Sequence, residues 1–284
     1  MAAKRILIVS DGSNFSRSAL HFAFRLFPEV PRPRLVGMFI QDLSYLSMLS
    51  VMGTDELSRQ LNFTFVEEGL KAGERQIGEF IQSFESECRH EGFPYEVHFE
   101  QGSAAAEIVR ESRFSDLIII GYQTFFANVG GGPGDHLLKD VLKDACCPIL
   151  VVPENTNPVS DVILAYDGSP SSAHAFKQFS YLMPEDMLSK PLHVLHVGKK
   201  QGDTLPAEEE KSIQVLAASH FPKTNVTYRF GDVSGEIQSY ASGLEHSLIV
   251  IGAYGRSLFS MLFHPSASES ILQSGQLPVF ITHT

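Results

Sequence analysis

Continuous apolar runs recur along the chain and are separated by segments with helical periodicity. The runs are aliphatic and β-branched, without polar alternation, at Ile6 to Val9, Leu117 to Ile120 and Leu248 to Ile251. Such runs are typical of parallel strands covered on both faces. The spacing of apolar residues predicts helices over 16–27, 67–89 and 104–112, with Ser103 and Ser234 as candidate helix caps. Strands that alternate with helices indicate an α/β fold.

The same blocks occur twice in the same order. An apolar run ending in Asp-Gly-Ser covers 5–13 and returns at 161–169. Later blocks recur as pairs, at Gly102 and Gly231, at Gly121 and Gly252, and at 148–152 and 278–282. A duplication therefore predicts a first domain over 1–153 and a second over 159–284, joined by a turn-forming linker. Block spacing places an insertion in the first domain at about 41–75, and its apolar residues suit a helical lid or a partner surface.

The repeat predicts two tandem, doubly wound, mainly parallel five-stranded sheets with helices on both faces. In such sheets a ligand crevice opens at the carboxyl ends of the strands, where the winding direction reverses. This rule points to Asp11 and Gly121 in the first copy, and to Asp167 and Gly252 in the second.

The repeated blocks resemble the universal stress protein (UspA-like) family over nearly the whole chain, twice. ATP-binding members carry Gly-x-x-Gly, nine residues, and then Gly-Ser or Gly-Thr. The second copy reads Gly252-Ala253-Tyr254-Gly255, nine residues, and then Pro265-Ser266, so one position departs and an N–H donor is lost. The resemblance implies a Rossmann-like, adenine nucleotide α-hydrolase-like fold that binds ATP or another adenine nucleotide in the second domain, with magnesium as a companion ion.

The resemblance also implies a set of ligand contacts in the second domain. Glycine lets phosphate approach the backbone, a hydroxyl at a helix start offers a donor, and a carboxylate accepts hydrogen bonds from ribose or adenine. The set is Ala165, Tyr166, Asp167, Val197, Ile251, Gly252, Gly255, Arg256, Ser266 and Ala267. The alternative is structural: Asp167 caps a turn and Val197 packs in the core.

The first copy departs further from the motif. Its register places Asp135 where the hydroxyl residue belongs, and Ile40 takes the position of Val197. Because a carboxylate repels phosphate, we expect no ATP in this copy.

Charge and composition limit the classes of partner that the protein is expected to bind. A net charge of −11 disfavours nucleic acid and anionic membranes, and the N-terminus lacks the features of a secretion signal. Three cysteines without ligand spacing, and His193 and His196 on opposite sides of a strand, give no metal site. These features predict a cytoplasmic protein.

Three functions stay open. The first is a non-catalytic stress-response module that binds adenine nucleotide. The others are a nucleotide-independent scaffold for a small ligand or protein partner, which Pro265 and Asp135 favour, and a slow ATP hydrolase. Strands 149–152 and 279–282 are candidates for an internal pseudo-dimer, with a further homodimer as an extension.

Overall fold

The computed structural model describes residues 4–10, 17–42, 56–121, 137–155, 157–252 and 277–282. The strands in these ranges are β1 (Arg5–Ser10), β2 (Arg34–Asp42), β3 (Tyr95–Gly102), β4 (Leu117–Gly121), β5 (Ile149–Val152), β6 (Asp161–Ala165), β7 (Leu192–Gly198), β8 (Thr224–Phe230), β9 (Ser247–Gly252) and β10 (Val279–Thr282). The helices are α1 (Arg17–Leu26), α2 (Glu56–Glu91), α3 (Ala104–Ser112), α4 (Leu137–Asp144), α5 (Pro170–Leu182), α6 (Glu185–Leu188), α7 (Ala207–Ala218) and α8 (Val233–Ser242).

The chain divides into two compact units, residues 1–20 with 29–147 and residues 21–28 with 148–284. The first unit has the strand order β3-β2-β1-β4, with parallel pairing throughout this run. The second has the order β5-β10-β9-β6-β7-β8, parallel except for the antiparallel pair of β5 and β10. The winding β3-β2-β1-β4 repeats as β8-β7-β6-β9. The expected mainly parallel α/β fold is therefore confirmed.

The grouping of β5 differs from the expectation that each copy forms its own five-stranded sheet. Strand β5 follows the first copy in the chain but is grouped with the second unit. There Ile149, Leu150 and Val151 pair with Ile281, Phe280 and Val279 of β10. The pairing satisfies backbone groups of β10 that an edge strand would leave unpaired. The strands are the two that the sequence singled out for pairing.

Apolar composition explains why the central strands form the core. Every residue of β4 and of β9 is buried, which fits runs with no polar alternation. Helix α3 covers the predicted 104–112, whereas α2 begins at Glu56, well before the predicted 67. Part of the predicted insertion therefore extends α2, and its residues 43–55 lie outside the described ranges.

Candidate functional site

The turn from β6 into α5 carries the Asp-Gly-Ser block of the second copy. Gly168 has a φ of +79°, in the left-handed region that favours glycine. Ser169 is the N-cap of α5, and its Oγ accepts a hydrogen bond from the amide of Ser172 at 3.2 Å. Pro170 opens the helix, where a missing N–H costs little. The sequence thus encodes a sharp turn followed directly by a helix start.

The Asp167 carboxylate is exposed and belongs to this turn. Its Oδ1 accepts a hydrogen bond from the Ser169 amide at 3.0 Å. Partial desolvation favours the neutral form. Hydrogen bonds from Ser169 and from the Ser172 hydroxyl outweigh it and hold the pKa of Asp167 below its usual value. A charged, exposed and oriented carboxylate can both shape the turn and accept hydrogen bonds from a ligand.

The lowered pKa of Asp167 predicts a contribution to acid stability. A carboxylate whose pKa is lower in the folded state than in the unfolded state stabilises the folded protein at pH values above the unfolded-state pKa. This contribution is lost as the pH falls through the folded-state pKa. We expect Asp167→Asn to lose less stability than wild type between about pH 5 and pH 3. Urea unfolding midpoints across this range measure the difference. Asp186→Asn, which removes a surface pair with Lys190, is the control. The same change of unfolding midpoint with pH in wild type and Asp167→Asn would contradict the prediction.

Asp167 lies just past the end of β6, and Val197 is the second-last residue of the neighbouring strand β7. Parallel pairing sets Ala165 beside Leu195, and the Tyr166 amide continues the ladder by donating to the Leu195 carbonyl at 2.9 Å. Because alternate residues share a face, Asp167 and Val197 come next on the face of that pair. Val197 is half-buried, whereas Ala165 and Tyr166 are buried. The accessible candidates at this edge are therefore Asp167 and Val197.

Gly252 ends β9, and its lack of a side chain has a packing cause. A Cβ at this position would lie 2.6 Å from the backbone carbon, the carbonyl oxygen and Oγ of Ser171 in the first turn of α5. Contacts this short do not occur between real atoms, so glycine is required for α5 to pack on β9. The preceding candidate, Ile251, is buried in the sheet. Close approach of phosphate to Gly252 stays a prediction.

Four candidates, Gly255, Arg256, Ser266 and Ala267, lie outside the described residues, as do Asp11 and Asp135 of the first copy. In the first copy Ile40 is fully buried, unlike its counterpart Val197. The described strand ends of the two copies thus differ in the access they offer.

Sequence reasoning missed the contribution of α7 to the β6 end. The Tyr166 hydroxyl donates a hydrogen bond to Oε1 of Glu209. Burial and then this hydrogen bond raise the pKa of Tyr166, so the phenol stays protonated. Leu205 is buried, with Cδ2 at 3.4 Å from the position of a Cβ on Gly168. The acidic start of α7 is visible in the sequence, but nothing there links it to Tyr166.

The two strand histidines make separate hydrogen bonds. His196 Nδ1 lies 3.0 Å from the Tyr166 carbonyl oxygen. His193 Nε2 lies 3.0 Å from Oδ1 of Asp161, and its Nδ1 lies 2.8 Å from the Tyr240 hydroxyl. Within the described ranges, no three His, Cys, Asp or Glu side chains are grouped as metal ligands. None of the helices described is long and apolar enough to span a bilayer.

The strand order and the parallel pairing define a doubly wound α/β protein. Residues 159–283 match the model of the Universal stress protein family. These residues therefore match a universal stress protein domain, and the chain is similar to UspA-like proteins.

Similar proteins carry the same family name. A universal stress protein of Synechocystis is 28% identical over 58% of this chain and 56% of its own length. The chain thus matches little more than half of that relative. A universal stress protein of Mycolicibacterium smegmatis is 24% identical over 73% of this chain and 76% of its own. The crystal structure of a universal stress protein from Archaeoglobus fulgidus covers 99% of this chain and 96% of its own, with a TM-score of 0.65 at 18% identity. At that identity the likeness concerns the fold.

Proposed function

We propose that the second domain binds ATP or another adenine nucleotide at the carboxyl ends of β6, β7 and β9, without catalysing a reaction. One observation carries the proposal: a charged, exposed Asp167 just past the end of β6 and a half-buried Val197 near the end of β7 belong to adjacent parallel strands. The carboxylate accepts hydrogen bonds from ribose or adenine, and the apolar side chain packs against the base. Both lie where ligands bind in doubly wound sheets.

The phosphates, in this proposal, lie toward the loop after Gly252, where the motif residues Gly255, Arg256, Ser266 and Ala267 follow in the sequence. An arginine and a hydroxyl there supply donors to phosphate oxygens, and magnesium would accompany the phosphates. The first copy binds no nucleotide in this proposal. Its Ile40 is buried and its Asp135 repels phosphate. Bound nucleotide, in this proposal, changes the conformation of the protein or its binding to a partner. The proposed location is the cytoplasm, and the two copies are proposed to pair internally.

A nucleotide-independent scaffold is the second candidate, and Gly252 favours it. The packing of Ser171 against Gly252 accounts for this glycine without a ligand. Likewise, the hydrogen bond with Ser169 accounts for Asp167 as a turn residue. If both residues serve the fold alone, the second domain keeps them with no nucleotide bound.

Calorimetric titration of the full chain with ATP and magnesium separates the two candidates. We expect binding by wild type and a loss of about tenfold or more in affinity for Asp167→Ala, because a hydrogen bond to a charged acceptor is lost. Asp186→Ala is the matched control, since it removes an exposed carboxylate from α6, which precedes the amino end of β7. No heat from wild type at millimolar ATP would refute nucleotide binding and favour the scaffold.

Hydrolysis is tested on the same protein. Release of phosphate from ATP by wild type, lost in Ser266→Ala while binding is retained, would replace the non-catalytic proposal with that of a slow ATP hydrolase. We expect no release above the rate of ATP in buffer.

A further inference from the structure

Residues 199–210, which we call the strap, join β7 to the first turn of α7. From Lys199 to Pro206 every strap residue is exposed except Leu205. Leu205 is buried, and it packs against Gly168 in the turn that follows Asp167. An exposed segment with a single buried apolar residue is attached at that residue.

Glu209 provides a second attachment. Its carboxylate accepts the hydrogen bond of the Tyr166 hydroxyl, and Tyr166 directly precedes Asp167. The side chain of Glu209 also approaches Gly168, with Cγ at 4.0 Å from the position of a Cβ there. The Tyr166 side chain is buried, so its phenol holds Glu209 from a fixed place in the sheet. Leu205 and Glu209 therefore contact the β6–α5 turn from the same side.

The next residue of α7 makes a comparable bond to a different strand. The Tyr228 hydroxyl in β8 donates to Oε2 of Glu210 at 2.9 Å. Desolvation and this hydrogen bond raise the pKa of Tyr228 to about 12, so this phenol also stays protonated. Two adjacent glutamates thus tie one helical turn to the sheet through two tyrosines, and only Glu209 reaches the strand that leads to Asp167.

The β6–α5 turn needs such support for a physical reason. Gly168 adopts a left-handed conformation. Glycine has more accessible backbone conformations than any other residue type, so the chain is least restricted at this position. The Asp167 side chain is exposed, so little packing holds it. Its direction depends on the turn that Gly168 forms.

We propose that Tyr166, Leu205 and Glu209 are positioning residues that brace the β6–α5 turn and set the orientation of the Asp167 carboxylate. The consequence for nucleotide affinity rests on the proposed function, whereas the brace itself does not. The strap thereby couples its own conformation to the ligand site, since a displaced strap removes two contacts from the turn that carries Asp167.

The Ser169 amide reports the orientation of Asp167, because its N–H donates to Oδ1 at 3.0 Å. Hydrogen exchange of this amide, measured by NMR on the full chain, is expected to accelerate about tenfold in Tyr166→Phe and in Glu209→Ala. Glu209→Gln keeps an acceptor oxygen and should stay close to wild type. Tyr240→Phe is the matched control: it removes a phenol hydroxyl that lies 2.8 Å from Nδ1 of His193, near the amino end of β7, and should leave Ser169 unchanged. Leu205→Ala tests the apolar contact and is expected to act like Tyr166→Phe.

Titration with ATP and magnesium on the same variants completes the test. We expect affinity to fall about tenfold in Tyr166→Phe and Glu209→Ala, and to be retained in Glu209→Gln and Tyr240→Phe. Equal Ser169 exchange in Tyr166→Phe and Tyr240→Phe would overturn the brace. Faster exchange with unchanged affinity would overturn its link to the ligand. If wild type binds no ATP, the proposed function fails, while Ser169 exchange still decides the brace.

Discussion

Replacing Gly252 by alanine is expected to lower the free energy of unfolding of the second unit by about 1–3 kcal/mol. The added Cβ would meet the backbone of Ser171 at 2.6 Å, and backbone atoms cannot rotate away as the end of a side chain can. Either β9 or the first turn of α5 has to move. The sign is diagnostic, because Gly→Ala at an unstrained position stabilises by about 0.4–1 kcal/mol through the unfolded chain. Urea unfolding monitored by circular dichroism measures the change.

Gly235→Ala is the matched control for Gly252. It lies in the first turn of α8, where an added Cβ would be 3.5 Å from the nearest atom, Oδ2 of Asp232. We expect this variant to be as stable as wild type or slightly more so. Unchanged stability of Gly252→Ala together with lost ATP binding would show that Gly252 serves the ligand and not the packing of α5.

The architecture of each unit could be predicted from short-range patterns. Unbroken apolar runs identified β1, β4 and β9, because strands covered on both faces need apolar residues at every position. Helix α3 was predicted at its observed bounds. The cap of α8 was wrong: Asp232, not Ser234, is the N-cap, and its side chain accepts from the Gly235 amide at 2.9 Å. Two polar residues so close together compete for one capping position, and the periodicity does not choose between them.

The neighbourhood of two candidate residues could be predicted from the sequence, whereas their ligand contacts stay a prediction. The repeat and the alternation of faces set Asp167, just past the end of β6, next to the position of Val197 in β7. The contact between Tyr166 and Glu209 joins residues 43 positions apart and depends on where the strap crosses the strand end. No local pattern encodes that crossing. The same holds for Gly252, whose packing against Ser171 depends on the path of α5.

Long-range polar contacts at the amino ends of the strands show why the repeat alone does not reveal the interactions within each copy. In the first unit Arg5 Nη1 lies 2.8 Å from Oε1 of Glu111, which is largely buried. In the second, the first strand begins with Asp161, which bonds His193, and His193 bonds Tyr240. Equivalent positions thus hold a helix to the strands through an ion pair in one copy and through a tyrosine hydroxyl in the other. The windings β3-β2-β1-β4 and β8-β7-β6-β9 thus share a strand order, whereas these polar partners differ.

Replacing Phe280 by alanine is expected to destabilise the second unit by about 3–5 kcal/mol, the range for buried phenylalanines. Phe280 is fully buried on β10, where it pairs with Leu150 of β5 on one side and Val250 of β9 on the other. Its ring meets that of Phe179 edge-on with centroids 5.2 Å apart. Truncation removes this contact and leaves a cavity where two strands and α5 meet. Urea unfolding of the full chain should show a lower midpoint for the transition that includes the second unit.

Phe114→Ala is the matched control for Phe280→Ala, since that ring is 69% exposed and its removal is expected to cost about 0.5 kcal/mol or less. The comparison isolates burial, because both variants remove the same atoms. The result also bears on β5, a four-residue strand whose antiparallel pairing with β10 covers three residue pairs. A strand this short contributes few hydrogen bonds, so apolar pairs such as Leu150 with Phe280 must supply much of its attachment. If Phe280→Ala and Phe114→Ala unfold at the same urea midpoint, the Phe280 ring does not contribute the packing energy that its burial indicates.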